Sequence, residues 1–197
     1  MGAEGFLDRV FDQMFNNLTR TSGFSSTNWR YEDRPTREGV GRLPIAIDVE
    51  AMVSRITDVE EYPRSVRFVE SVEILERRSE SDFTYVQRLS LPVLGKLQMA
   101  LALQDLGDRD GYRVVAWHQD DEATEALNPK QGARTMYNLG AWILKPAEVL
   151  FALSSAPRKQ DIGSLKFALM TKGGEATAGE VLKANIEGMA RWAARRT

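Results

Sequence analysis

The chain has 197 residues, 43% hydrophobic and 27% charged, a composition typical of one soluble globular domain with a substantial core. Its formal net charge of -2 gives no basic footprint, which argues against a nucleic-acid partner. The lack of cysteine excludes disulfides, thiolate nucleophiles and sulfur-ligated zinc. Neither a signal peptide nor an apolar run of roughly 20 residues is present, so the expected compartment is cytoplasmic.

The first predicted element is an amphipathic helix near the start of the chain. Apolar residues recur there at helical spacing, at Phe6, Leu7, Val10, Phe11, Met14, Phe15 and Leu18. The helix either packs on the domain, acts as a membrane-contacting or gating element, or docks on a partner protein. Its acidic polar face argues against contact with anionic lipid. A loop rich in Ser, Thr and Gly follows. We therefore predict an N-terminal helix and loop at residues 1–28 and the main domain at residues 29–197.

A second helix and a run of strands form the middle of the chain. Asp48 is suited to cap that helix and Pro63 to end it. The residues that follow alternate between apolar and polar, which predicts about six consecutive antiparallel strands. An Asp-Gly pair at residues 110–111 predicts a hairpin turn. The clearest apolar stripe along one strand consists of Leu97, Met99, Leu101 and Leu103.

A long amphipathic helix is predicted to close the chain. It follows Gly173-Gly174, and Thr177 with Glu180 forms a capping-box signature at its start. If the sheet curves around this helix, which is roughly 10 Å wide, apolar space remains in the concavity and predicts an internal ligand cavity. The segment Asp161 to Lys172 is then either a movable lid or an ordinary packed element. The helix residues predicted to face the cavity are Leu182, Ile186 and Met189.

Signals of catalysis and of cofactor binding are weak. The single histidine, His118, is not accompanied by a serine-nucleophile motif. Gly39-Val40-Gly41 lacks the third glycine of a dinucleotide-binding fingerprint. The acidic residues 120–122 lack the spacing of a metal site, so we predict no catalytic residue, no metal and no cofactor. Arg134 falls within a strand, where it faces either water or a buried carboxylate or ligand group.

Six short sequence segments occur in an order and at spacings that together indicate a family resemblance. The upstream ones are IAIDVE at 45–50, DVEEYP at 58–63 and VESVEILE at 69–76. The downstream ones are VVAWH at 114–118, GAR at 132–134 and GAWILKP at 140–146. In order and spacing, from about Trp29 to Arg195, they resemble START domains, the lipid-transfer members of the SRPBCC superfamily.

The resemblance implies an α+β helix-grip fold, in which a curved antiparallel sheet wraps around a long C-terminal helix and encloses an internal apolar cavity. It implies a hydrophobic small molecule or lipid as ligand (a sterol, phospholipid or fatty acid) and leaves transient membrane contact open. The predicted ligand-binding residues are Leu97, Met99, Leu101, Leu103, Trp117, Arg134, Met136, Asn138, Leu182, Ile186 and Met189.

One departure from the family pattern concerns the polar end of the ligand. START domains commonly carry an Arg-Asp pair where this chain has Leu94-Gly95-Lys96-Leu97, so that contact is not carried over. The alternative function is a polyketide cyclase or aromatase-like enzyme of the same superfamily. Its acid or base groups would have to come from His118, Arg134, Tyr85 or Tyr137.

Overall fold

The computed structural model describes residues 3–92 and 95–195, without the side chains of residues 3, 169–170 and 172–177. The helices are α1 Ala3–Asn16, α2 Val49–Thr57, α3 Tyr62–Ser65, α4 Asp121–Ala126, α5 Lys159–Ile162 and α6 Ser164–Ala193, with a 3-10 turn at Val59–Glu61. The strands are β1 Ser25–Trp29, β2 Glu38–Pro44, β3 Val69–Arg77, β4 Asp82–Leu91, β5 Gly95–Arg109, β6 Tyr112–Gln119, β7 Ala133–Lys145 and β8 Glu148–Pro157.

In the described part of the chain the strands form one curved eight-stranded sheet in the order β1-β2-β8-β7-β6-β5-β4-β3. Adjacent strands in this order pair antiparallel, including β2 with β8, and β5 also meets β7 in a short parallel contact at Leu97–Ala133 and Gln98–Arg134. The six consecutive strands expected from alternation are β3 to β8. The predicted boundary between residues 28 and 29 falls within β1, which pairs with β2.

Local signals in the sequence explain several element ends. Asp48 caps α2, as predicted, by accepting a hydrogen bond from the Ala51 amide at 3.0 Å. The prediction that Pro63 ends this helix is wrong, because α2 stops at Thr57 and Pro63 lies in the first turn of α3. A proline costs little there, since its missing N–H would have no helical partner. Asp110 and Gly111 both have positive φ, which forms the predicted two-residue hairpin turn.

The two faces of the sheet carry separate apolar clusters. The outer face is covered by α1, whose residues Phe6, Val10 and Met14 are buried, so the packed interpretation of this helix is confirmed. The opposite, concave face is covered by α2, α3 and α6. Within the described residues, no helix is both long and apolar enough to cross a membrane.

The closing helix begins earlier than predicted. α6 starts at Ser164, so Gly173-Gly174 lies inside the helix and does not separate it from the sheet. Glycine disfavours a helix interior by only about 1 kcal/mol per residue, which a 30-residue helix can absorb. The predicted cap at Thr177 has a side chain outside the described set. The predicted lid at residues 161–172 is the end of α5 and the first turns of α6.

Two glycines of β2 let α6 lie directly on the sheet. A methyl group added at Gly41 would sit 2.9 Å from Leu182 Cβ and 2.9 Å from the Phe24 ring. One added at Gly39 would lie 3.4 Å from the Leu182 side chain. The Gly39-Val40-Gly41 segment therefore permits close helix-sheet packing, a role that its sequence alone did not reveal.

Candidate ligand-binding site

The concave face and α6 share one hydrophobic cluster. It contains the predicted β5 stripe, in which each of the four side chains is buried, together with the predicted residues of α6. Because side chains alternate along a strand, every second residue of β4 to β8 faces this interior. The predicted residues that the structure brings together in the cluster are Leu97, Met99, Leu101, Leu103, Trp117, Leu182, Ile186 and Met189.

An aromatic group covers the part of the concave face that β6, β7 and β8 form. The ring of Phe151 lies 5.7 Å from that of Trp117 and 4.4 Å from that of Trp142. The Trp117 indole lies across Gly140, where an added methyl group would come within 1.9 Å of the ring. Gly140 is thus required for the orientation of Trp117 towards the interior.

A predicted polar residue, Asn138, lies among these apolar side chains. Its Oδ1 accepts a hydrogen bond from Trp117 Nε1 at 2.8 Å. Its Nδ2 lies 3.2 Å from Met99 Sδ and 3.2 Å from Ser155 Oγ. Asn138 therefore contacts the interior, as predicted, and Ser155 joins it because the two residues are directly opposite in the β7–β8 pairing.

The phenol of Tyr85 also faces this interior. It is 3% exposed and its hydroxyl donates to Gln87 Oε1 over a long 3.4 Å. Burial raises the pKa of Tyr85 well above its usual value, so the hydroxyl is protonated. Tyr62 is buried nearby on α3, and burial likewise raises its pKa, but its hydroxyl donates to Ile56 O at 2.6 Å. Tyr85 and Gln87 are two residues apart on β4 and therefore share one face of the strand.

Arg134 is held by carboxylates of the chain itself. Its backbone N–H and its Nε donate to Asp161 Oδ2 at 3.0 and 3.1 Å, and its Nη1 lies 3.2 Å from Glu125 Oε1. Burial alone would raise the pKa of Asp161, but hydrogen bonds from Arg134 outweigh it and lower that pKa. The guanidinium thus ties α4 and α5 to β7. Its neighbour Ala133 belongs to the interior cluster, so we do not place Arg134 in the site.

The prediction that Met136 lines the interior is wrong for this structure. Met136 is 45% exposed. The β7–β8 register shifts between Thr135 and Tyr137, so the alternation counted back from Asn138 fails at this bulge. Thr135 is buried instead and donates to Gln119 Oε1.

The four side chains considered for an enzyme do not converge. His118 alternates with Trp117 along β6 and so points to the outer face. Tyr137 packs against the outer cluster, with its hydroxyl 2.6 Å from Thr36 Oγ1. Of these four residues, only Tyr85 lies in the interior cluster.

Other features of the described residues lie away from this interior. Two surface hollows have volumes of about 320 Å³, beside Lys96 and Asp161, and about 530 Å³, between α2 and the end of α6. Neither is lined by a predicted ligand-binding residue. In residues 3–92 and 95–195, no group of three or more His, Asp or Glu is placed to hold a metal ion. Within the acidic cluster, Asp120 caps α4 through the Ala123 amide.

Comparisons with known proteins find similarity in structure alone. No protein-family model and no curated protein sequence matches the chain. A STAR-related lipid transfer protein from Xanthomonas axonopodis is similar with a TM-score of 0.71 and 17% identity, over 91% of this chain and 98% of that one. Human StAR-related lipid transfer protein 5 is similar with a TM-score of 0.69 and 9% identity, over 96% and 95%.

An enzyme shares the same architecture. The Zhui aromatase/cyclase from Streptomyces sp. R1128 is similar with a TM-score of 0.59 and 17% identity, over 81% of this chain and 94% of that one. Similarity at such identities shows the fold. The chain therefore has the START-like α+β helix-grip fold.

Proposed function

We propose that this protein binds and transfers a lipid or another hydrophobic small molecule, held between the concave face of the sheet and α6. The observation that carries the proposal is the continuous apolar cluster shared by β5 and α6, with Asn138 and Tyr85 as polar groups inside it. Solved structures with the same fold that are described as lipid transfer proteins support it. We propose no catalytic role, since Tyr85 is the one interior residue of the four considered.

The energetics of such an interior favour a long apolar ligand. Each buried CH₂ group contributes roughly 0.8 kcal/mol, so an acyl chain can offset the cost of ordering ligand and protein. The ligand would contact the β5 stripe on one side and Leu182, Ile186 and Met189 on the other.

Uptake and release require part of the enclosure to move. Along the described chain, α6 approaches β1, β2, β8 and α2, and its start is joined to α5 at Gly163. Gly163 has a φ of 83°, a backbone conformation that suits glycine. We propose that α6 shifts away from the sheet to admit the ligand.

The first experiment tests binding by native mass spectrometry of the purified protein and by uptake of the neutral fluorescent probe Nile red. We expect co-purified apolar ligands and saturable uptake. Leu101→Trp adds bulk to the interior, at a cost of about 1–3 kcal/mol in stability, and should reduce uptake. Leu75→Trp changes an exposed position of β3 and should leave uptake unchanged. Absence of both ligand and uptake, or equal effects of the two variants, would contradict the proposal.

A further inference from the structure

The outer side of the sheet carries two buried glutamates. Among the described residues, Glu38 and Glu148 are the charged residues that are buried as a whole, and both lie on the outer face. Glu38 meets Arg9 at 2.8 Å and Glu148 meets Arg42 at 2.6 Å. The buried polar side chains on the concave side are uncharged: Gln119, Thr135 and Asn138, together with the phenol of Tyr85.

One ion pair lies on the concave side, at the end near the hairpin turn between β5 and β6. Arg113 shares the concave side of β6 with Val115, close to the hairpin turn. Its Nη2 lies 2.6 Å from Asp105 Oδ2, so the two charges compensate each other. Arg113 is therefore the alternative contact that an anionic ligand would have to use.

The uncharged polar groups form two pairs on the concave face, Tyr85 with Gln87 and Asn138 with Ser155, and Met99 lies between the pairs. We define these residues, Tyr85, Gln87, Asn138 and Ser155, as the polar row. Gln87 is paired with Met99 in the β4–β5 register, and Met99 Sδ contacts Asn138. Directly opposite residues of neighbouring strands have Cβ atoms about 4.5–5.5 Å apart, so these side chains are neighbours.

The polar row has hydrogen-bonding capacity left for a ligand. The Tyr85 hydroxyl has a 3.4 Å bond to Gln87, which is long for an O–H donor. Ser155 Oγ accepts from Asn138 Nδ2, and within residues 3–92 and 95–195 this hydroxyl donates to no protein group. A hydroxyl with a weak hydrogen-bond partner gains from a better one, so Tyr85 on β4 and Ser155 on β8 can each offer one donor to a ligand.

From this distribution of charge we propose that the ligand is uncharged and that its hydroxyl or carbonyl group binds the polar row. The inference rests on the proposed binding of a hydrophobic ligand between the concave face and α6. A carboxylate or phosphate moved into this interior would lose its hydration, and the polar row has no cation to compensate it. A hydroxyl or carbonyl oxygen loses less hydration, and a hydrogen bond from Tyr85 or from Ser155 can replace it.

The experiment compares 1-tetradecanol with tetradecanoate as competitors of Nile red at pH 8, below micelle-forming concentrations. The two share their chain and differ in head-group charge. We expect tetradecanol to bind about tenfold more tightly or better. Equal or tighter binding of tetradecanoate would overturn the inference and point to Arg113. Nile red uptake without displacement by either would overturn the inference but not the proposed function. Absence of Nile red uptake would overturn both.

A matched pair of variants tests the contribution of the Tyr85 hydroxyl to ligand binding. Tyr85→Phe removes the hydroxyl from the polar row and should weaken tetradecanol binding about three- to tenfold, while Nile red uptake persists. Tyr62→Phe removes an equally buried hydroxyl that already donates to Ile56 O, and it should leave tetradecanol affinity unchanged. Unchanged affinity in Tyr85→Phe, or the same loss in both variants, would contradict a role of the polar row.

Discussion

At the scale of single residues, the interior depends on a glycine. Gly140 leaves room for the Trp117 indole to lie across β7, and this position lets Trp117 Nε1 donate to Asn138 at 2.8 Å. A side chain on Gly140 would occupy the space of the ring. The orientation of Asn138 towards Met99 and Ser155 depends on the same arrangement.

We predict that Gly140→Ala displaces Trp117 and lowers the free energy of unfolding by about 1–3 kcal/mol, because the added methyl group overpacks the interior. Tryptophan fluorescence should change with it. Gly188→Ala is the control, since nothing lies within 4 Å of a methyl group at this helix position, and it should stabilise by roughly 0.5–1 kcal/mol. Urea unfolding of both variants checks the prediction, which fails if Gly140→Ala is as stable as the parent.

At the scale of elements, α1 is fastened to the outer face by a buried carboxylate as well as by apolar contacts. Glu38 of β2 is 0% exposed and accepts from Arg9 Nε and Nη2, both at 2.8 Å. It also accepts from Arg34 at 2.9 Å and from Trp29 Nε1 at 2.9 Å. An isolated helix of 14 residues is marginal in water, so α1 depends on these contacts.

We predict that Arg9→Ala loosens α1 and destabilises the protein. The free energy of unfolding should fall by an amount near the lower end of about 3–5 kcal/mol, because Glu38 loses one charged partner but keeps Arg34 and Trp29. Hydrogen exchange of the α1 amides should accelerate at the same time. Asp8→Ala, which breaks the more exposed pair with Arg109, should cost less than about 1 kcal/mol. Equal losses of stability in the two variants would show that the buried Arg9–Glu38 pair contributes no more than the exposed Asp8–Arg109 pair.

At the scale of the whole molecule, the contact of α6 with β2 sets how tightly the interior is closed. Leu182 lies over Gly39 and Gly41, so helix and sheet backbones approach closely. Further along, the Trp192 ring lies 6.0 Å from Tyr62 and under Arg55, which joins α6 to α2 and α3. A substitution in β2 should therefore affect the packing of α6 along its whole contact with the sheet, α2 and α3.

We predict that Gly41→Val pushes α6 away from the sheet, because even its Cβ atom would lie 2.9 Å from Leu182 Cβ. The unfolding free energy should fall by about 1–3 kcal/mol, and the amides of residues 180–193 should exchange faster. If the proposed binding site is correct, bound Nile red should also dissociate faster. Gly23→Val is the control, since a Cβ atom there meets nothing within 4 Å. Unchanged exchange in α6 of Gly41→Val would contradict the prediction.

The sequence by itself determined the elements and most of their buried faces, because the periods of 2 and 3.6 residues are local properties of strand and helix. It therefore predicted the β5 stripe, the buried side of α6 around Ile186, the Asp48 cap and the Asp-Gly turn. Its order of segments also indicated the START-like fold.

Tertiary structure alone decided the features that depend on partners distant in the chain. The bulge in β7 is set by pairing with β8, and one extra residue reverses the face of each preceding side chain, which is why Met136 is exposed. The continuity of α6 through Gly173-Gly174 overrides a local preference of only about 1 kcal/mol per glycine. The polar row consists of residues of β4, β7 and β8, which come to lie on one face only when the strands pair into the sheet.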